Sequence, residues 1–309
     1  MTALLPELQL GQWETTKTTL HLWAQIVGKM RLALMPPRNH WWHVPLYVDV
    51  RGLTTRRLHR PGGDTFQIDF DFLDHRLYVR RSDAAAESFP LRDGLSVADF
   101  DRELHTRLDR LGLDVQINEK PYGVPTTTPF PHDREHASYD ADAVVRFWRI
   151  LDWTDDVFEE FSGWFCGKTS PIHLYWHSFD LAFSRYGGRP APTLAETDAV
   201  TREADSHEVI AFGFWPGDRQ IPDPSFYSYT SPEPVGLREQ PLAPADARWT
   251  PRGQASLALL SYDAVRTAPD PRSALLSFLE SAYRAGADAA DWSAEELMSR
   301  WHPARRPVA

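Results

Sequence analysis

Apolar residues recur along the chain in two periods, and the switches between them mark out the elements. Over residues 16–35, Trp23, Ile26, Val27, Met30 and Leu34 return at three- and four-residue steps, with His21, Gln25 and Lys29 as the opposite stripe. That spacing predicts an amphipathic helix, stopped by Pro36-Pro37 because proline lacks the amide the helix needs. Beyond the loop 38–45, residues 46–51 alternate and predict a strand ending at Gly52. Phe66, Ile68, Phe70 and Phe72 alternate with Gln67, Asp69 and Asp71, a strand with one apolar face. Asp74-His75 reads as the turn into a strand over 77–80. Ser96 followed by Asp99 is a helix-start signature, and the helix it opens, 97–111, carries Val97, Phe100, Leu104, Leu108 and Leu111 on one side. Gly112 closes it, and residues 113–117 read as a short strand.

Residues 119–139 hold four prolines and no period, which divides the chain into a half 1–120, a proline-rich linker 121–139 and a half 140–309. The second half restarts with a helix over 140–166, apolar through Val144, Phe147, Trp148, Leu151, Phe158, Phe161 and Phe165. Asp152, Asp155, Asp156 and Glu159 make an acidic stripe beside that face, a candidate partner surface. Strands are expected over 171–183, 207–215, 226–229 and 256–262, with proline-rich coil over 230–253. Asp270-Pro271 caps a helix running to about residue 285 with Gly286 just beyond, and Ser293 with Glu296 opens a short last helix.

The stretch 171–189 is the one the rest is organised around. Read as a single strand, it puts His173, Tyr175, His177, Phe179 and Phe183 on one side and Ile172, Leu174, Trp176, Ser178 and Asp180 on the other. Both sides are too apolar for water, and both carry groups that need hydrogen-bond partners, which suggests a central strand beside an internal polar pocket. The two halves share the order helix, loop, proline, strands, helix. Setting Pro45 on Pro171 places Tyr47, Asp49 and Arg51 opposite His173, Tyr175 and His177. A duplication would produce that echo, and so would chance. The expected fold is α+β: mainly antiparallel sheet with helices packed on it, in two pseudo-repeated helix–strand–strand–helix halves if the echo is real.

Composition narrows the function classes. Acidic residues outnumber basic ones 43 to 33, net charge is −10, and Arg56, Arg57 and Arg60 form the only basic cluster, read as a solvated turn. This disfavours a surface that tracks nucleic-acid phosphates. The single cysteine, Cys166, cannot form an intrachain disulfide and reads as a buried, inert thiol in a reducing compartment. No run reaches the ~18 apolar residues of a membrane span, and the first residues lack signal-peptide character, so a cytoplasmic location is expected.

No glycine-rich phosphate loop or nucleophile elbow occurs, so neither nucleotide nor flavin is expected as cofactor. His173-x-x-x-His177 invites a metal reading, but on a strand the two would stand ~13 Å apart and could not share one ion. No metal is therefore expected. His177-Ser178 with Asp180 resembles a triad only on paper, since alternation turns Ser178 and Asp180 away from His177. What remains is a convergent polar and aromatic set. His177, His173 and His207 are the candidate acid–base groups, because imidazole beside a carboxylate can exchange protons near neutral pH. Tyr175, Asp180, Arg185, Glu203, Glu208, Trp215, Tyr227 and Tyr229 are candidate ligand contacts, joined by His40, Trp42 and His43 from the loop after the first helix. Arg185 is expected to pair with Asp180 or with a ligand carboxylate.

Several of these motifs occur together: Asn39-His-Trp-Trp-His-Val-Pro-Leu, the Phe66–Phe72 strand, Phe179-Asp-Leu-Ala followed by Arg185, Arg202-Glu-Ala-Asp-Ser-His-Glu-Val, Gly213-Phe-Trp-Pro-Gly, Tyr227-Ser-Tyr and Pro232-Glu-Pro. In this the chain resembles the bacterial family catalogued as domain of unknown function 5996, over roughly residues 10–292. Tyr186-Gly187 departs from the Phe-Ser expected before Gly188-Arg189. The resemblance implies a single unit rather than a fusion and brings no established activity. Three readings follow: an enzyme using histidine acid–base chemistry on a small molecule, a non-catalytic small-molecule binder or sensor, and a structural or partner-binding protein.

Overall fold

In the computed structural model, which describes residues 5–60, 63, 65–192, 199–253 and 255–305, two antiparallel sheets meet edge to edge under a layer of helices. The first helix, α1 (Leu10–Leu34), begins six residues earlier than its pattern predicts. The greater difference lies in its polar stripe. His21, Gln25 and Lys29 are as buried as Trp23, Ile26 and Val27, so α1 is enclosed on all sides. Its polar residues are used as latches. Gln25 donates from Nε2 to the Tyr122 carbonyl (2.7 Å) and accepts the Tyr122 amide on Oε1 (2.9 Å), and His21 Nε2 donates to the Trp176 carbonyl (2.9 Å). The proline-rich segment is therefore bonded to α1 at Tyr122, and further along it Phe130 is fully buried.

The first sheet is a meander of β1 (Tyr47–Asp49), β2 (Gly52–Thr54), β4 (Thr65–Asp71), β5 (Arg76–Arg81) and β6 (Ala86–Pro90), with β3 (Leu58–His59) also on β4. The expected strand 46–51 is in fact a hairpin arm and its turn. The alternating β4 behaves as expected: Phe66, Ile68, Phe70 and Phe72 face the core, where Phe70 and Trp23 stack on Phe100 of α2 (Val97–Arg110). Its other face is not wet. Asp69 and Asp71 are buried and paired with Arg80 and Arg51. Ser96 caps α2 by accepting the Asp99 amide (3.1 Å). Residues 113–117 bury Leu113 and Val115 in alternation but pair with no strand.

The helix α3 (Ala141–Ser162) leads to the second sheet, ordered β11-β12-β10-β9-β8-β7. Its strands are β7 (His173–Tyr175), β8 (Asp180–Pro190), β9 (His207–Trp215), β10 (Ser225–Ser231), β11 (Arg248–Arg252) and β12 (Ala255–Ser261). The short α4 (Ala199–Ala204) precedes β9, and α5 (Tyr262–Arg266) and α6 (Pro271–Ala289) follow β12. Strand β11 falls inside the stretch read as coil. The last residues, 293–300, form turns rather than a helix. Asp270 caps α6 on the Ser273 amide, but the helix continues through Gly286, where a side chain would collide with Thr230 and Ile210 of the sheet. That glycine lets helix and sheet approach; it does not end the helix.

The central correction concerns residues 171–183. They are two strands, not one. Residues 176–179 turn, with Phe179 at φ 61°, and β7 folds back on β8 with His173 opposite Ala182 and Tyr175 opposite Asp180. Register across β7, β8, β9 and β10 then gives the sheet two distinct faces. Phe183, Arg185, Phe212, Phe214 and Phe226 lie on the face whose phenylalanines are fully buried. Tyr175, Asp180, Ala182, Tyr186, Ala211, Gly213, Tyr227 and Tyr229 line the other. The sheets join where Leu46 and Leu174 exchange backbone hydrogen bonds of 2.9 Å each, so the first strands of the two halves lie antiparallel side by side. Of the positions the echo set opposite each other, Tyr47 and His173 do meet, rings 5.3 Å apart.

Candidate functional site

The tyrosine face owes its shape to small residues. Gly213 and Ala211 leave room for the Tyr227 and Tyr229 rings to lie across β9, stacked 6.4 Å apart at 10°. A Cβ on Gly213 would fall inside the Tyr227 ring. From there the Tyr227 hydroxyl reaches over to β8 and donates to Asp180 Oδ2. Ser178, in the β7–β8 turn, donates to Asp180 Oδ1. The buried carboxylate is thus held by two hydroxyls, one per oxygen, as a buried charge requires. Trp215 stands one residue past the Phe214–Leu181 pair, across from Asp180.

Ser178 and Trp215 also form one wall of a cleft of about 700 Å³. The opposite wall is the start of α1, with Thr15, Lys17, Thr18 and His21, and residues 123–126 and 216–220 close the ends. His21 lies at its base, stacked on Phe179 at 4.8 Å. Burial holds the His21 pKa down at about 3, and burial likewise lowers that of Lys17. Its lining mixes the aromatic Phe179 and Trp215 with charged groups, Glu14, Lys17, Glu135, Asp218 and Arg219.

The expected residues divide among several places. Asp180, Trp215, Tyr227, Tyr229 and Tyr175 come together on the tyrosine face. His173 is next to them, fully buried, with Nδ1 3.3 Å from the Tyr175 hydroxyl. Burial first, and then the charges of Arg31, Arg56 and Arg38, lower its pKa to about 3. His177 sits in the hairpin turn, ring against Tyr122 and Tyr175. His40, Trp42, His207 and Glu203 form a separate group around Lys168 and Tyr186. Lys168 Nζ donates to His40 Nε2 (2.6 Å), His40 Nδ1 donates to the Ala204 carbonyl (3.0 Å), and Glu203 accepts the His40 amide. The His40 ring packs on Tyr186 (4.5 Å), Trp42 (5.1 Å) and His207 (5.6 Å). His43 stacks on Trp41 at a second cleft, and Glu208 is occupied by Arg189 and the Trp292 indole.

Arg185 does not meet Asp180. It lies on the far face, 1% exposed, donating to the Phe161 carbonyl, with its guanidinium 3.7 Å from the Phe161 ring and 4.6 Å from Tyr283. Burial lowers its pKa to about 9. Cys166 is exposed rather than buried. The acidic stripe is partly consumed, since Asp156 pairs with Arg272 of α6. Among the described residues, no three His, Cys, Asp or Glu side chains are placed to hold a metal ion, and no helix is long and apolar enough to cross a membrane. Sequence reasoning missed His21, Lys17, Thr18 and the 216–220 loop. His21 had the signal of a polar residue on a helix too apolar to face water.

Fold and site together define an α+β protein with two joined antiparallel sheets and a cleft beside the β7–β8 turn lined by Phe179 and Trp215. The chain belongs to a family of unknown function (DUF5996), whose model matches residues 5–299. Comparison with curated proteins gave no match, and comparison with solved structures gave none.

Proposed function

We propose that the protein binds a small polar molecule in the cleft between α1 and the β7–β8 turn, as a binding or sensing protein rather than a catalyst. One observation carries the reading: Ser178 and Trp215 line a cleft of about 700 Å³, and Ser178, together with Tyr227, holds the buried Asp180 carboxylate across from Trp215. The ligand's hydrogen-bonding groups would meet Ser178 and Thr18, and its flat or apolar part would lie against Trp215. Binding is favoured over acid–base catalysis by the state of the buried imidazoles. Burial lowers the pKa of His21 and His173 to about 3, which disfavours them as proton carriers near neutral pH, and His136, which also lines the cleft, is held by the Asp133 carboxylate (2.8 Å). The partner-binding reading is weakened because the acidic stripe is partly turned onto α6.

The test is native mass spectrometry of the purified chain beside Trp215→Ala and Asp180→Asn, combined with a thermal-shift screen of small metabolites. The expected result is a bound species or a stabilising compound for the wild type that both variants lose. A ligand retained equally by both variants would remove the cleft from consideration, and turnover of a stabilising compound would replace binding with catalysis.

A further inference from the structure

A second cluster, where β7 meets β1, has the opposite charge. Arg51, Arg80, Arg107, Arg189 and Arg272 each find a carboxylate, as a chain of net charge −10 allows. Three other arginines have no such pairing among the described residues, two of them beside Tyr47, and the charges of all three act on His173. Arg31, near the end of α1, is 3% exposed and donates to the Thr55 carbonyl, and its Nε is buried without a partner. Its guanidinium lies 5.3 Å from the Tyr47 ring, and that of Arg56 lies 3.7 Å from the same ring. Arg38 follows in the next loop, and its amide donates to His43 Nδ1 (3.2 Å).

His173 closes the group. Its ring stands edge-on to Tyr47 at 5.3 Å. Its Nε2 is buried and has no partner, and where the Tyr175 hydroxyl donates to Nδ1, 3.3 Å away, the neutral ring carries its proton on that Nε2. Three like charges around a buried donor are costly unless something negative joins them. Asp155 of α3 feels the charge of Arg56 but forms no ion pair with it, and burial together with Glu159, Asp152 and Asp156 raises its pKa to about 7. It is a weak counter-charge at neutral pH. A cleft of about 630 Å³ adjoins the cluster through Arg38; Leu32, Met35, Trp41 and His43 also line it, as does Glu203, whose carboxylate accepts the His40 amide.

We propose that Arg31, Arg38 and Arg56, gathered around Tyr47 and His173, bind an oxyanion: the phosphate or carboxylate group of a small organic molecule whose body lies in the cleft beside Trp41. Guanidinium groups match such oxyanions in shape and charge, and the His173 Nε2–H supplies a buried, directional donor. The site touches the Asp180 face through the His173–Tyr175 contact but opens on a different cleft, and it does not rest on the ligand proposed there.

The probe is inorganic phosphate, titrated into the full chain at constant ionic strength, with acetate in a parallel arm and chloride as the reference. Thermal stability and the His173 ring resonances are read together. Arg31→Gln could prevent folding, so the working variants are Arg38→Gln and Arg56→Gln, at exposed positions. Arg60→Gln, whose side chain reaches Gly112 instead, is the control. Saturable stabilisation by phosphate with a shift of His173, weakened ~10-fold or more by each working variant and unchanged by the control, supports the site. Stabilisation by phosphate alone assigns a phosphate-bearing ligand, and equal stabilisation by acetate assigns a carboxylate. An effect no larger than that of chloride, or one equally strong in both working variants, overturns the proposal.

Discussion

Replacing Gly213 by alanine tests how the candidate site is assembled. Gly213 pairs with Ala182 on one side and with Tyr227 on the other, and the Tyr227 ring crosses directly above it to reach Asp180. An alanine Cβ would occupy the space of that ring, so the tyrosine must lift and its hydroxyl must leave the carboxylate. Overpacking of this kind costs about 1–3 kcal/mol. Loss of a hydrogen bond to a buried charge adds about 1.5–3 kcal/mol. Relief of glycine's chain entropy returns about 0.5–1 kcal/mol. The net expectation is roughly 1.5–5.5 kcal/mol of destabilisation, measured by urea unfolding. Tyr227→Phe alone should cost roughly 1.5–3 kcal/mol, because Asp180 Oδ2 loses its donor. The double variant should be little worse than Gly213→Ala, since the hydroxyl is already disengaged there. Strict additivity of the two changes would show that the ring does not lie over Gly213 on its way to Asp180, and the description of the site would fail with it.

Other substitutions reach other parts of the account. Gly28→Ala on α1 would strike the Trp176 side chain and break its bond to the Val44 carbonyl; a loss of about 2–4 kcal/mol with a red-shifted tryptophan emission is expected, and native emission at full stability would refute the contact. Asp155 has a folded-state pKa of about 7, above that of an unfolded aspartate, so the native state binds the extra proton and wild-type stability falls as pH rises from about 4 past 7. Asp155→Asn should flatten that slope and gain about 1–2 kcal/mol at pH 8, discounted from a ceiling of about 4 kcal/mol because the carboxyl is only half-buried; parallel unfolding curves across this window would contradict it. Arg185→Met should be neutral or stabilising by about 1–3 kcal/mol, as replacement of a buried charge by an apolar chain often is, while Arg185→Ala leaves a cavity and should destabilise by about 2–4 kcal/mol; equal losses in both would show the charge itself to be essential.

Where alternation and capping operate within one element, the chain announces its structure. Phe66–Phe72 alternates because one face meets α2, and Ser96 and Asp270 are caps because their side chains accept the amide three residues on. The failures share a cause, which is that burial on all sides erases period. His21, Gln25 and Lys29 look like the wet face of α1, yet they latch the helix to Tyr122 and pack it against Trp176. Residues 171–183 carry apolar groups on both sides of the alternation, so the pattern does not mark the turn at 176–179, where Ser178 is exposed, that separates His177 from His173 and brings Ser178 to Asp180. The register that results decides the site. It gathers Asp180, Trp215, Tyr227 and Tyr229, carries Arg185 to the other face, and leaves His40, Trp42 and His207 with Lys168. The arginines around Tyr47 lie 25 residues apart from first to last in the chain, Arg31 to Arg56, and only the fold makes them a cluster.

The most direct measurement is the crystal structure of the wild-type chain with whichever metabolite stabilises it most in the screen. The account predicts that molecule in the cleft between α1 and the β7–β8 turn, against Trp215 and hydrogen-bonded at Ser178 or Asp180. A stabilising ligand bound elsewhere, with the Ser178–Asp180–Tyr227 wall untouched, would contradict it.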